Sequence, residues 1–129
     1  MKLELRLKNY MAYKSFEELD VWKRSCRLAV EVSHAISDCK QYAIRDQMQR
    51  AAISIPSNIA EGAERDSRQD FIRFLRIAKG SCAGVRTQCY VAVRLELLEK
   101  PQSDHFVQES KEISAMLQGL VFSLSPTEN

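Results

Sequence analysis

The side chains that most often carry chemistry are sparse in this sequence. Its two histidines, His34 and His105, are far apart in the chain, so the HExxH motif of zinc enzymes is absent. Glu61 and Glu64 are carboxylates one helical turn apart, but without a histidine partner we expect them to cap a helix or form ion pairs. The sequence therefore predicts no catalytic residue, no metal site and no cofactor, and we expect the protein not to be an enzyme.

The four cysteines are Cys26, Cys39, Cys82 and Cys89, and no two of them form a CxxC pair. Three of them fall on apolar helical stripes, where a thiol behaves as a small buried hydrophobe. We interpret them as reduced thiols of a cytoplasmic protein. The chain has no run of 18 apolar residues and no apolar leader segment at its N-terminus, so we expect neither a membrane span nor a secretory signal.

A polar cluster surrounds Pro56. Its members recur at spacings of three or four, which places them on one side of a helix; they are Arg50, Ser54, Ser57, Asn58 and Glu61. We favour a hydrogen-bonded seam, in which Ser57 or Asn58 serves carbonyls that Pro56 leaves unpaired and Glu61 pairs with an arginine. The alternative is a direct contact with a ligand or RNA.

A cationic line follows, in which nine residues recur at spacings of three or four; six of them are cations and none is an acid. The line consists of Arg65, Arg68, Ile72, Arg76, Lys79, Ala83, Arg86, Tyr90 and Arg94. Such a line can follow a phosphate backbone, with Tyr90 stacking on a base. The competing interpretation is a solvated face neutralised by acids of neighbouring helices. A net charge of +2 does not decide between them, because what matters is where the charges lie.

Four amphipathic segments must position these residues, and they predict an all-α, antiparallel up-down-up-down four-helix bundle. Ser15 with Glu18 fits a capping box at the first helix, whose solvent side includes Arg24 and Glu31. Asp66 or Ser67 can cap the third helix, which Pro101 ends. The predicted helices cover residues 15–39, 43–65, 67–99 and 103–124, between a basic lead-in (1–14) that we expect to be disordered and a frayed tail (125–129).

Two features concern packing. Pro56 lies inside the second helix, where we expect a kink near Ser54 and not a break. Gly80 and Gly84 lie opposite the cationic line and each costs about 1 kcal/mol in a helix relative to Ala. We expect another helix to approach them closely, from within the bundle or from another subunit. The predicted core stripe of the third helix is Phe71, Phe74, Ala78, Cys82, Val85, Cys89 and Ala92.

Residues 16–98 resemble the bacterial four-helix-bundle proteins encoded within intervening sequences of 23S ribosomal RNA genes. The segment from Ser54 to Gly62 is the most specific part of this resemblance. The matching stretches are Phe16–Trp22, Gln49–Gly62, Phe71 with Phe74-Leu75, Ala78–Ser81 and Thr87-Gln88. In two places the chain departs from the family pattern: Gly84 stands where a glutamate is usual, and Glu96-Leu97 replaces Gly-Tyr.

The resemblance implies a kinked second helix, no enzyme activity and a ring-shaped homo-oligomer, which we expect to be a pentamer. A related bundle is the accessory factor of the reverse transcriptase of diversity-generating retroelements, where a basic surface meets nucleic acid. We therefore predict a non-catalytic, oligomeric, RNA-associated protein. The alternative is a protein–protein adaptor or reverse-transcriptase accessory bundle that binds no RNA itself.

Overall fold

A computed structural model describes residues 15–126 of the chain, and in this range it confirms the all-helical fold and the four-helix architecture. A short 3-10 turn, Phe16–Glu18, precedes the first helix. The helices are α1 (Asp20–Ile36), α2 (Tyr42–Ala63), α3 (Arg68–Arg94) and α4 (Lys100–Leu124). The lead-in at 1–14 and the last three residues of the predicted tail lie outside the described residues.

Neighbouring helices run antiparallel. In each contacting pair the residue number rises on one helix as it falls on the other. The contacts are Ser54–Ser81 and Gly62–Phe74 for α2 and α3, Lys79–Gln118 and Arg86–Ser110 for α3 and α4, and Arg24–Glu112 and Glu31–His105 for α1 and α4. With short connections between consecutive helices, this is the predicted up-down-up-down order.

The core is apolar and receives side chains from all four helices. Every member of the stripe predicted for α3 is buried, since α3 packs against both α2 and α4. The stripe includes two thiols, and burial raises the pKa of Cys82 and of Cys89 to about 11. Both side chains therefore pack as neutral small hydrophobes at neutral pH.

The capping box of Ser15 and Glu18 belongs to the 3-10 turn and not to α1. The Ser15 backbone N–H donates to Glu18 Oε2 at 3.3 Å. Leu19 then adopts an extended conformation (φ −71°, ψ 125°), so α1 begins only at Asp20. The helix predicted from residue 15 is thus shorter than expected at its N-terminus, and also at its C-terminus, where it ends at Ile36.

The boundary between α3 and α4 was predicted wrongly. α3 ends at Arg94, because Glu96 adopts a left-handed conformation (φ 60°) that stops the helix. The Leu97 N–H donates to the Ala92 carbonyl at 2.8 Å and the Glu96 N–H to the Val93 carbonyl at 3.0 Å, the pattern of a Schellman C-cap. Pro101 does not end α3; it lies in the first turn of α4, where a missing N–H costs nothing.

The predicted N-cap of α3 is confirmed for Ser67, which accepts a hydrogen bond from the Asp70 N–H at 3.0 Å. α2 is one continuous helix across the buried Pro56, as predicted, while the kink itself stays a prediction. Asn58 Nδ2 donates to the Ser54 carbonyl at 2.7 Å. That carbonyl is not the one expected, since the i to i−4 pattern makes Ala52 the residue that loses its donor to Pro56.

No helix within residues 15–126 is long and apolar enough to cross a membrane.

Candidate nucleic-acid interface

The residues of the predicted cationic line differ in burial along α3. At its N-terminal end Ile72 is buried, so the line there runs into the core. From Arg76 onwards it lies on the flank of α3 that faces α4. We call the four cations of this part, Arg76, Lys79, Arg86 and Arg94, the basic row.

The two cations before Ile72 stand apart from the basic row. Arg65 lies in the turn before α3, where its Nη2 lies 3.1 Å from Glu61 Oε2 and its guanidinium lies 4.9 Å from the centroid of the Phe74 ring. Arg68 is half-buried at the first position of α3. The charge of Arg65 is thus paired with a carboxylate, the role predicted for Glu61.

Two members of the basic row contact neutral groups of α4. Lys79 Nζ donates to Gln118 Oε1 at 2.5 Å, and Arg86 Nη1 donates to Ser110 Oγ at 3.2 Å. Ser110 in turn donates to the Cys82 carbonyl of α3 at 2.9 Å. These bonds orient the two cations along the α3–α4 groove without cancelling their charge.

The carboxylates in the middle of α4 face the other way, towards α1. Arg24 Nη2 lies 2.7 Å from Glu109 Oε2 and 2.6 Å from Glu112 Oε1. The pKa of Glu112 is lowered by its hydrogen bonds with Arg24 and Gln108, and the pKa of Arg24 is raised by Glu109 and Glu112. The expectation that Arg24 and Glu31 face solvent alone is wrong, because both pair with α4.

The four cations of the basic row have no ion-pair partner among the described residues. Among the described residues 15–126, no carboxylate lies within 4 Å of a nitrogen of any cation in the basic row. Arg65 therefore has a carboxylate within ion-pair distance and these four side chains do not, while the choice between a phosphate-binding row and a solvated face stays open. Tyr90 projects from the same flank, one turn from Arg86 and one turn from Arg94, and is 48% exposed.

The polar cluster around Pro56 contains both hydrogen-bonded and exposed side chains. Ser54 Oγ lies 2.5 Å from Ser81 Oγ of α3 and donates to the Ala51 carbonyl. The Glu61–Arg65 ion pair agrees with the predicted seam. Asn58, however, bonds the Ser54 carbonyl and not one freed by Pro56, so the seam as a whole stays a prediction. Arg50 and Ser57 are exposed, and all five members of the cluster line one shallow groove on α2 together with Ile53.

A second flank of α3 is apolar and exposed. We define the apolar flank as Ile77, Gly80, Gly84, Val91 and Leu95; its three large side chains are each more than 40% exposed. A Cβ built on either glycine would meet nothing within 4 Å. The predicted close approach of another helix from within the bundle is therefore wrong, while an approach from another subunit stays a prediction.

The two histidines, far apart in the chain, line one open pocket between α1 and α4. His105 Nε2 lies 3.0 Å from Glu31 Oε1, and Glu31 lines the same pocket. The spacing of Glu31 and His34, three apart on α1, indicates that these two share a helix face, but it does not indicate that His105 of α4 lies beside them. Even so, no group of three or more His, Cys, Asp or Glu side chains in the described part of the chain could hold a metal ion.

Comparison with known proteins agrees with the geometry of the bundle. The family model for the 23S rRNA-intervening sequence protein matches residues 17–119. A crystal structure of a protein of unknown function from the S23 ribosomal protein family of Bacteroides thetaiotaomicron superposes with a TM-score of 0.73 at 26% identity, covering 78% of this chain and 97% of that chain. No curated protein matches the chain significantly.

Proposed function

Because the chain belongs to the 23S rRNA-intervening sequence protein family, we propose that it is a non-catalytic RNA-associated protein that binds through the basic row as a homo-oligomer. The observation that carries the proposal is the position of Arg76, Lys79, Arg86 and Arg94 on one helix flank, with no described carboxylate within 4 Å. Cations in this arrangement bind phosphates and release the counterions of the nucleic acid.

Self-association explains how a nearly neutral protein could bind a polyanion. The net charge of +2 provides little long-range attraction, and screening limits each cation to about 8 Å at physiological salt. One copy of the basic row therefore binds weakly. Several copies in one assembly bind the same RNA at high effective concentration, which raises the overall affinity without new contacts.

The apolar flank is the surface that supports self-association. Exposed Ile77, Val91 and Leu95 surround two helical glycines that no part of the described chain covers. Packing against a different face of a neighbouring copy, the head-to-tail contact that a ring requires, would bury these side chains and offset the cost of glycine in a helix. The centre of the apolar flank lies about 110° around α3 from the centre of the basic row, at about 100° per residue, so the two surfaces are distinct. Assembly through the first can therefore leave much of the second accessible.

The test compares two double charge reversals. In the variant Arg76→Glu with Arg94→Glu, both residues are exposed and lie about 27 Å apart on the same flank, from the rise of 1.5 Å per residue. The control, Lys23→Glu with Lys40→Glu, makes the same change in net charge on exposed residues of α1 and the α1–α2 connection. RNA affinity is measured at several salt concentrations, and oligomeric mass is measured in parallel.

We expect the Arg76 and Arg94 variant to bind RNA more weakly and with a smaller salt slope, by about 0.7–0.9 for each lost phosphate contact. The control should keep most of the wild-type affinity. Equal affinity and equal slope for both variants, with both still assembled, would show that the basic row is not the site. A wild type that binds no RNA at low salt would favour the protein–protein adaptor.

A further inference from the structure

The basic row is one helix wide. On one side of it α4 presents the neutral groups of Gln118 and Ser110, and the acids of α4 beyond them face α1. On its other side, farther around α3, lies the apolar flank. A strip of this width offers phosphate contacts to a single strand, whereas proteins that bind duplex RNA contact phosphates and 2′-hydroxyls across its grooves.

Tyr90 adds an aromatic ring within this strip. It is four residues from Arg86 and four from Arg94, so one helical turn separates it from a cation on each side. The side chain is 48% exposed, and it has no hydrogen bond or ring contact with any described residue. A cationic track with an exposed aromatic side chain is the usual arrangement of sites for single-stranded nucleic acid, where bases stack on the ring.

We infer that the basic row takes single-stranded RNA in preference to duplex, and that Tyr90 stacks on an unpaired base while Arg86 and Arg94 hold the phosphates on either side. This inference rests on the proposed function and names its class of RNA. The bases of a duplex are stacked on one another and do not reach Tyr90, so the ring contributes only to the single-stranded complex.

The experiment uses the full chain and two probes: an unstructured 20-nucleotide RNA and a 20-base-pair RNA duplex. Affinities of the wild type, Tyr90→Ala and Tyr90→Phe are measured by fluorescence anisotropy. Tyr42→Ala is the control, because Tyr42 is also exposed (60%) but lies at the start of α2. Circular dichroism checks that each variant is folded.

Tyr90→Ala should weaken binding of the single strand by about tenfold, within the range found when a base-stacking residue is removed. Its salt slope should equal that of the wild type, since no phosphate contact is lost. Tyr90→Phe and Tyr42→Ala should bind like the wild type, and duplex binding should be weaker than single-strand binding and unaffected by Tyr90→Ala.

The failure of this inference is distinguishable from the failure of the proposed function. If the duplex binds as tightly as the single strand and Tyr90→Ala changes neither, while Arg76→Glu with Arg94→Glu still weakens both, the preference and the stacking role are overturned and RNA binding stands. If neither probe binds the wild type at low salt, RNA binding falls and this inference falls with it.

Discussion

A methyl group added to Gly62 of α2 would lie 2.6 Å from the Cβ of Phe74 on α3. It would also lie 3.3 Å from the Phe71 carbonyl, so backbone as well as side chain would have to move. We expect Gly62→Ala to lower the free energy of unfolding by about 1–3 kcal/mol, the usual cost of overpacking. Urea unfolding followed by circular dichroism measures this change.

The matched control is Gly119→Ala in α4, where the added methyl would meet nothing within 4 Å. There the substitution should raise the free energy of unfolding, by up to about 1 kcal/mol, through helix propensity alone. Equal shifts of the same sign in the two variants would show that the close approach of α2 to α3 at Gly62 does not limit the residue at this position.

Glu96→Gly should stabilise the protein. Glu96 is the C′ residue of the α3 C-cap and has a φ of 60°, a conformation that costs a residue with a Cβ roughly 1–2 kcal/mol and costs glycine nothing. After the greater entropy of glycine in the unfolded chain is subtracted, we expect a gain of about 0.5–1 kcal/mol in the free energy of unfolding. Glu96→Ala keeps the strain, and a gain equal to that of glycine would contradict the explanation.

The contribution of Glu112 to stability should depend on pH. Hydrogen bonds from Arg24 and Gln108 lower its pKa from the ordinary value of 4.5, so the unfolded chain takes up the proton first as pH falls. The stabilisation is therefore complete above pH 4.5 and is lost as pH falls through the folded-state pKa. The difference in stability between wild type and Glu112→Gln should shrink from pH 6 to pH 3; a constant difference would exclude this account.

Light scattering should give a mass well above the 14.8 kDa of one chain, and the family resemblance implies about five times that value. Val91→Glu places a charge on the apolar flank and should lower the mass without unfolding the protein, because Val91 is 42% exposed. Val30→Glu alters a valine of α1 that is 54% exposed and should leave the mass unchanged. A wild-type mass near 14.8 kDa at micromolar concentration would rule out self-association.

The core of α3 could be predicted because it depends only on the period of one helix: Phe71, Cys82 and Ala92 recur at helical spacing and all are buried. The end of α3 could not. Glu96 adopts a conformation that favours glycine, and a glutamate carries no turn signal, so the helix was extended to the next proline.

In the candidate site, too, features of one helix could be predicted from spacing, whereas features that depend on other helices could not. The basic row follows from spacing along α3, but its lack of nearby acids depends on Arg24, which pairs with Glu109, 85 residues later in the chain. Nor does the sequence show which glycine meets a neighbour. Gly80 and Gly84, four apart in a helix, gave the clearer signal, yet Gly62 is the one packed against another helix.

The two buried thiols of α3 make its opening directly measurable. Alkylating reagents react with the thiolate, and with a pKa of about 11 Cys82 and Cys89 are almost wholly protonated at neutral pH and shielded from the reagent. Each reacts only when α3 separates from its neighbours, so the labelling rate reports how often that part of the bundle opens. Slower labelling on assembly or on addition of RNA would reveal binding at α3 without any attached probe.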